Sequence, residues 1–231
     1  MCEHDCQNKE KQQDHEKCGE QHMADKINLR TYAFVDNMQP QYAAMTGTVI
    51  KGDLCLAGMA QLYIEVEPGS GSYSLLDAAL KASGAKPGFL VVEREYGEIE
   101  LHSFSIDDIH EAGRAILDAC GLSIQDRQKP SIVSRQIIPR VDAYQSQLIN
   151  RSRHGSMLLP GENLLILEVE PAAYISIAAN EAEKRANIKV IHFDPVGKFG
   201  RLYVSSPSIS EVQSAMEAAV EALEALDGAQ I

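Results

Sequence analysis

The chain holds 231 residues, 45% hydrophobic and 23% charged, the balance of an ordinary soluble globular protein. A formal net charge of −12 with no basic stripe argues against a phosphate-backbone partner, so no nucleic-acid binding is expected. No apolar run approaches the roughly 18–20 residues that cross a bilayer, and the polar opening Met1-Cys2-Glu3-His4-Asp5 lacks the apolar centre of a signal peptide. No membrane partner and a cytoplasmic location are therefore expected.

Residues 1–27 are rich in Glu, Gln, Lys and Asp with almost no large apolar side chain, which predicts a disordered tail. The tail carries Cys2, His4, Cys6, His15, Cys18 and His22, all soft-metal ligand types. Cys-x3-Cys followed by a long gap fits no zinc module, so no metal is assigned and Cys2, Cys6 and Cys18 stay as weak candidates only. The five cysteines are an odd number and form no disulfide framework; Cys55 and Cys120 read as small buried apolar residues.

Thr31–Val35 reads as a strand from its β-branched and aromatic content. Asp36–Gly58 is mixed and glycine-punctuated, which predicts short strands and loops. Leu62–Val66 alternates apolar and polar residues, predicting a strand with one wet face. Leu75, Leu76, Ala79, Leu80 and Ala82 then recur at helical spacing, followed by a buried strand at Phe89–Val92 and an alternating one at Glu98–His102. Ser105 and Asp108 resemble a capping box for a second helix that buries Ile106, Ile109, Ala112, Ile116 and Ala119, with Gly121 as its stop. Leu122–Pro130 reads as a polar connector.

The second half repeats the first. Ile64-Glu65-Val66-Glu67-Pro68 returns as Leu167-Glu168-Val169-Glu170-Pro171, 103 residues later. At that fixed offset Gly52, Gly58, Lys81 and Gly97 fall on Gly155, Gly161, Lys184 and Gly200, and Ala112, Ala115 and Ala119 fall on Ala215, Ala218 and Ala222. Thr31–Gly121 matches Ser134–Glu224 without a gap, so the chain is a duplicated module. Copy two is expected to carry a strand at Ile137–Ile138, an alternating strand at Leu164–Val169, an alanine-rich helix at Ala172–Ala186 and strands at Lys189–Phe193 and Arg201–Val204. A last helix starts at Ser208, with Ser208 and Glu211 as the better capping box of the two. The fold class is α/β (α+β): two modules of β-β-α-β-β-α order, spanning residues 28–123 and 124–231.

Several stretches carry a resemblance to a known family: Asp36-Asn37-Met38-Gln39-Pro40-Gln41, Gly47-Thr48-Val49, Val92-Glu93-Arg94 with Tyr96-Gly97, Leu148-Ile149-Asn150-Arg151, Ala178–Lys184, and Phe199-Gly200-Arg201-Leu202. Over residues 28–226 the chain resembles the tandem-domain, circularly permuted trimeric shell proteins of bacterial microcompartments, known from carboxysomes and related metabolosomes. The resemblance implies two ferredoxin-like shell domains per chain, a homotrimeric pseudohexamer, and a place in the compartment shell beside other shell hexamers and pentamers. It also implies that two trimers can stack face to face, and that small anionic metabolites pass a central gated pore. By the same resemblance the pore is lined by Glu93, Arg94, Tyr96 and Gly97 of copy one and Gly197, Lys198 and Phe199 of copy two. Glu93 and Arg94 are implied to gate it by exchanging which of them points inward, with Gly197 supplying room and backbone freedom.

Catalysis is not expected. Glu65 and Glu67, or Glu168 and Glu170, are two apart on a strand and share a face, whereas a catalytic pair opposes across a substrate. His154 beside Ser156 lacks a third group to orient it; His102, His110 and His192 read as structural. No phosphate-cradling loop or Cys-x2-Cys pair is present, and no cofactor is expected. The competing reading is a trimeric ferredoxin-like sensor that binds a small molecule between subunits. It would stay a discrete ring with saturable binding, where a tile would spread into sheets.

Overall fold

The computed structural model describes residues 26–230; the tail that holds Cys2, Cys6 and Cys18 lies outside them. Copy one comprises β1 (Asn28–Val35), α1 (Pro40–Val49), β2 (Ala60–Glu67), α2 (Gly71–Ala82), β3 (Lys86–Glu93), β4 (Tyr96–Ser103) and α3 (Ile106–Cys120). A 3-10 turn at Ile124–Asp126 leads to copy two: β5 (Ser131–Ile138), α4 (Ala143–Asn150), β6 (Asn163–Glu170), α5 (Ile175–Arg185), β7 (Lys189–Asp194), β8 (Gly200–Ser206) and α6 (Ile209–Glu224). The strands β5 and β6 begin 103 positions after β1 and β2, so the sequence offset is also the structural one. Each copy forms one antiparallel sheet, in the order β1-β2-β4-β3 and β5-β6-β8-β7.

One face of each sheet packs on its own helix pair. In copy one Leu62, Ile64 and Val66 of β2 and Ile99 and Leu101 of β4 bury against Leu75 and Ala79 of α2 and Ile109, Ala112 and Ile116 of α3. Ile106 and Ala119 were expected in that stripe, but both are exposed; they fall off the arc defined by Ile109, Ala112 and Ile116. Ser105 Oγ accepts from the Asp108 amide at 3.3 Å, and Gly121 ends α3 at φ +66° in the left-handed region. The stronger capping box expected at Ser208 is not formed. Its hydroxyl lies 2.8 Å from that of Ser210, and the Glu211 carboxylate accepts from the Asn187 amide at 2.6 Å instead.

The helix α1 replaces the short strands and loops expected within Asp36–Gly58. Pro40 at its first turn fits the open N-terminus, yet Gly47 and the β-branched Thr46, Thr48 and Val49 hide it from propensity. Tertiary contact decides the outcome: α1 is sandwiched between the two copies. Met38, Tyr42, Ala43 and Met45 join one core with Leu165, Leu167, Tyr174, Ile175, Ala178, Ala179, Val190 and Phe193 of copy two. Glu183 of α5 accepts from the amides of Gln41 and Tyr42 at 2.9 and 2.7 Å, so a carboxylate of copy two caps a helix of copy one. The Gln41 carboxamide donates to Ile188 O at 2.8 Å and accepts from Val190 N at 3.1 Å, closing the free edge of β7.

That arrangement overturns the wet face expected for β2. Gln61, Tyr63 and Glu65 are fully buried, as are Glu98, Glu100 and His102 opposite them on β4. In copy two the counterparts of Tyr63, Glu65, Glu98 and Glu100, namely Ile166, Glu168, Arg201 and Tyr203, are partly exposed, while Leu164 and Ser205, the counterparts of Gln61 and His102, stay buried. The strand β1 is buried where β5 is open. Period-two alternation marks a change of environment across a strand, and here the second environment is protein. Removing the interdomain cap with Glu183→Ala is expected to lower stability by about 1–2 kcal/mol, read as a reduced thermal midpoint at fixed protein concentration; an unchanged midpoint would show the cap to be idle.

Candidate pore site

The turn between β3 and β4 and the loop between β7 and β8 meet at one end of the molecule. Glu93, Arg94, Glu95 and Tyr96 from the first and Gly197 and Lys198 from the second line a shallow pocket of about 170 Å³. Arg94 Nε lies 3.7 Å from the Glu93 carboxylate, and both side chains are exposed, Arg94 at 89%. Such an ion pair is worth little in water, so the two groups are free to separate. Arg94 has φ +56° and Gly197, its counterpart at the 103-residue offset, has φ +98°. The left-handed region costs a non-glycine residue about 1 kcal/mol, a strain that Gly197 escapes.

Gly97 and Phe199 sit outside the pocket lining. Gly97 is a close-approach position, since a Cβ there would overlap Gly69 O and the Ser72 side chain at the start of α2. Gly200 stands in the same relation to Ala172 O. These glycines bring each loop down onto the start of the preceding helix. Tyr96 lies beneath the Arg30 guanidinium, 3.8 Å from its ring centroid. Lys198 Nζ stands 5.1 Å from the Phe199 ring and 3.9 Å from Glu170 Oε1.

Behind the loops runs a buried polar face that periodicity did not single out as buried. Arg30 Nε donates to Glu65 Oε1 at 2.6 Å, Thr31 Oγ1 lies 3.4 Å from Glu65 Oε2, and the Ala173 amide of copy two donates to that same oxygen at 3.3 Å. The Gly197 amide donates to Glu98 Oε1 at 3.0 Å. Farther from the loops, Tyr42 Oη donates to Gln61 Oε1 at 2.5 Å and Gln61 Nε2 donates to Glu100 Oε1 at 2.8 Å. Glu100 also lies 3.1 Å from His102 Nδ1, whose other nitrogen is 3.5 Å from the Asp53 carboxylate. Burial lowers the His102 pKa, but its bonds and charge contacts with Glu100 and Asp53 outweigh that and leave it raised. The signal in the sequence was Glu65, Glu98, Glu100 and His102 on adjacent alternating strands, which reads equally well as a solvated face.

The fold and the paired loops define the class: a tandem-domain microcompartment shell protein with its two domains fused in one chain. Residues 29–126 match the CsoS1D N-terminal domain and residues 164–231 the BMC domain. The carboxysome shell protein CcmP of Synechococcus elongatus is 48% identical over 87% of this chain and 94% of its own length. The carboxysome shell protein CsoS1D of Hydrogenovibrio crunogenus is 43% identical over 87% of this chain and 98% of its own. Among solved structures, the fused permuted hexameric shell protein MSM0275 from the RMM microcompartment superposes with a TM-score of 0.84 at 43% identity, covering 87% of this chain and 99% of its own. The double ringed trimeric shell protein MSM0271 from the same compartment gives 0.85 at 35%, covering 89% and 100%. The chain belongs to the CcmP and CsoS1D family of carboxysome shell proteins.

His102 also yields a pH dependence. Its folded pKa lies above the ordinary 6.5, so its contribution to stability is complete below about pH 6.5 and is lost as pH rises through the folded value. The thermal midpoint of the wild type should therefore fall more steeply than that of His102→Gln between pH 6 and 9; parallel curves would remove the assignment.

Proposed function

We propose that three chains close into a ring of six shell domains, residues 28–123 and 124–231 supplying one each, around a central pore gated by Glu93 and Arg94. The observation that carries this reading is the unmatched contact inside the chain. Copy one lays β1, α1 and the polar face of its sheet on α5 and β7 of copy two. The equivalent surfaces on the other sides stand bare.

On copy two these are β5 and the outer side of α4, where Tyr144 and Leu148 are 78% and 66% exposed. On copy one the bare surface is α2, where Tyr73 is 60% exposed while its counterpart Ser176 is buried. Leu148 corresponds to Met45, which the internal contact buries. A heterologous contact repeated between chains closes a ring when its rotation divides the circle, and the pore loops of both copies then face the axis.

The axis supports passage of small anions. Arg94 and Lys198 extend from the loops with most of their side chains in solvent, and Glu93 offers the carboxylate that can mask the arginine. Residues exposed in both copies need another partner: Leu54 and Met157, Leu56 and Leu159, Ile106 and Ile209. They lie near the strand ends remote from the pore loops, where lateral contact with other shell hexamers and pentamers and stacking of a second trimer would cover them. We infer no catalytic role, in keeping with relatives named as shell proteins.

Native mass spectrometry is expected to find three copies of the 25.3 kDa chain, and Leu148→Glu to release single chains by placing an unpaired charge in the closing contact; a trimer that survives this change unaltered would sink the proposed interface. Electron microscopy of trimers should resolve an open and a closed pore in the wild type, with Arg94→Ala confined to one of them. A single pore diameter in both proteins would leave Glu93 and Arg94 as a static ion pair.

A further inference from the structure

The two pore loops of one chain are joined beneath the surface. The Tyr96 ring of the first loop stacks on Arg30, Arg30 pairs with Glu65, and Glu65 faces Glu98 across the β2–β4 register. Glu98 then accepts from the backbone of Gly197 in the second loop. Every member between the two loops is buried: Arg30 is 5% exposed, Glu65 0% and Glu98 1%. Among the described residues, two atoms of opposite character in this chain have no partner, Arg30 Nη2 and Glu98 Oε2.

We propose that Glu98 is a positioning residue for the second pore loop and that the buried chain Tyr96–Arg30–Glu65–Glu98–Gly197 makes the two loops move together. An unpartnered buried donor and an unpartnered buried acceptor are each costly. One rearrangement satisfies both at once: Glu98 releases the Gly197 amide and turns toward Arg30. The guanidinium then shares itself between two carboxylates and loosens from the Tyr96 ring. The chain thus has two arrangements, one holding both loops and one releasing both, the bistable element that a coupled change requires.

The charge balance favours poise between them. One guanidinium faces the carboxylates of Glu65 and Glu98, and Asp194 of β7 adds a third negative group nearby. Burial, then the neighbouring Glu65, pushes the Glu98 carboxyl well above the usual carboxylate range.

The consequence for permeation rests on the gated-pore reading, but the coupling does not, and the test separates them. Hydrogen exchange is measured on the intact wild-type protein, Glu98→Leu, Glu98→Gln, and Tyr96→Leu, which alters only the far end of the chain. Glu98→Leu should raise exchange at the Gly197 amide about tenfold or more, and Glu98→Gln, whose carboxamide oxygen still accepts, should restore most of the protection. Tyr96→Leu should raise it several-fold while amides in the core of β2 stay unchanged.

Unaltered exchange at Gly197 in Tyr96→Leu, or an equal rise across the whole chain, overturns the coupling. Pore diameters from electron microscopy of the same proteins report on the gate alone. Coupled exchange with a single pore diameter keeps this inference and removes the gate; two diameters with uncoupled exchange do the reverse.

Discussion

The contact on which the structure depends is the seating of the copy-one sheet on the α5 end of copy two. The fully buried Glu65 accepts from Arg30 on its own sheet and from the Ala173 amide across the junction, while Glu183 returns the contact by capping α1. A buried ion pair adds little net stability, because desolvation offsets its attraction, but removing one partner is expensive. Such groups fix geometry more than they add free energy. The apolar core spanning both copies supplies the driving force, and the polar groups set the register at which it closes.

The contact is also asymmetric, and in the proposed ring that asymmetry is the basis of assembly. Gene duplication leaves two modules with equivalent surfaces, yet within one chain only one pair of those surfaces can meet. The divergence follows the burial. Where the internal junction covers the sheet, copy one carries Gln61, Tyr63, Glu65, Glu98, Glu100 and His102 as a fully buried face. Where copy two leaves it open, Ile166, Glu168, Arg201 and Tyr203 stand in the places of Tyr63, Glu65, Glu98 and Glu100, with Arg201 and Glu168 paired at 2.9 Å near solvent. The two loops diverge in the same way: Arg94 against Gly197 at one backbone corner, a charged side chain against none.

Between the junction and the paired loops lies very little material. Arg30 touches Glu65 on one side and the Tyr96 ring on the other, and Glu98 reaches Gly197 directly. In the proposed ring, the residues that hold the domains together thereby also hold the loops at its centre. A closely packed and fully buried setting favours discrete alternatives over gradual deformation.

The sequence by itself determined the duplication, the eight strands and four of the helices. These follow from features local in the chain: period-two and helical spacing, glycine and proline punctuation, and the fixed 103-residue offset. Only the tertiary structure decided that Asp36–Gly58 contains α1, because a helix buried between two domains shows no amphipathic stripe. Only the tertiary structure distinguished Glu65 and Glu98 from a solvated face, because alternation records that a strand has two environments and is silent on whether the second is water or the other half of the molecule. The same limit hid Glu183 as a cap, since its partners are some 141 residues away in the chain.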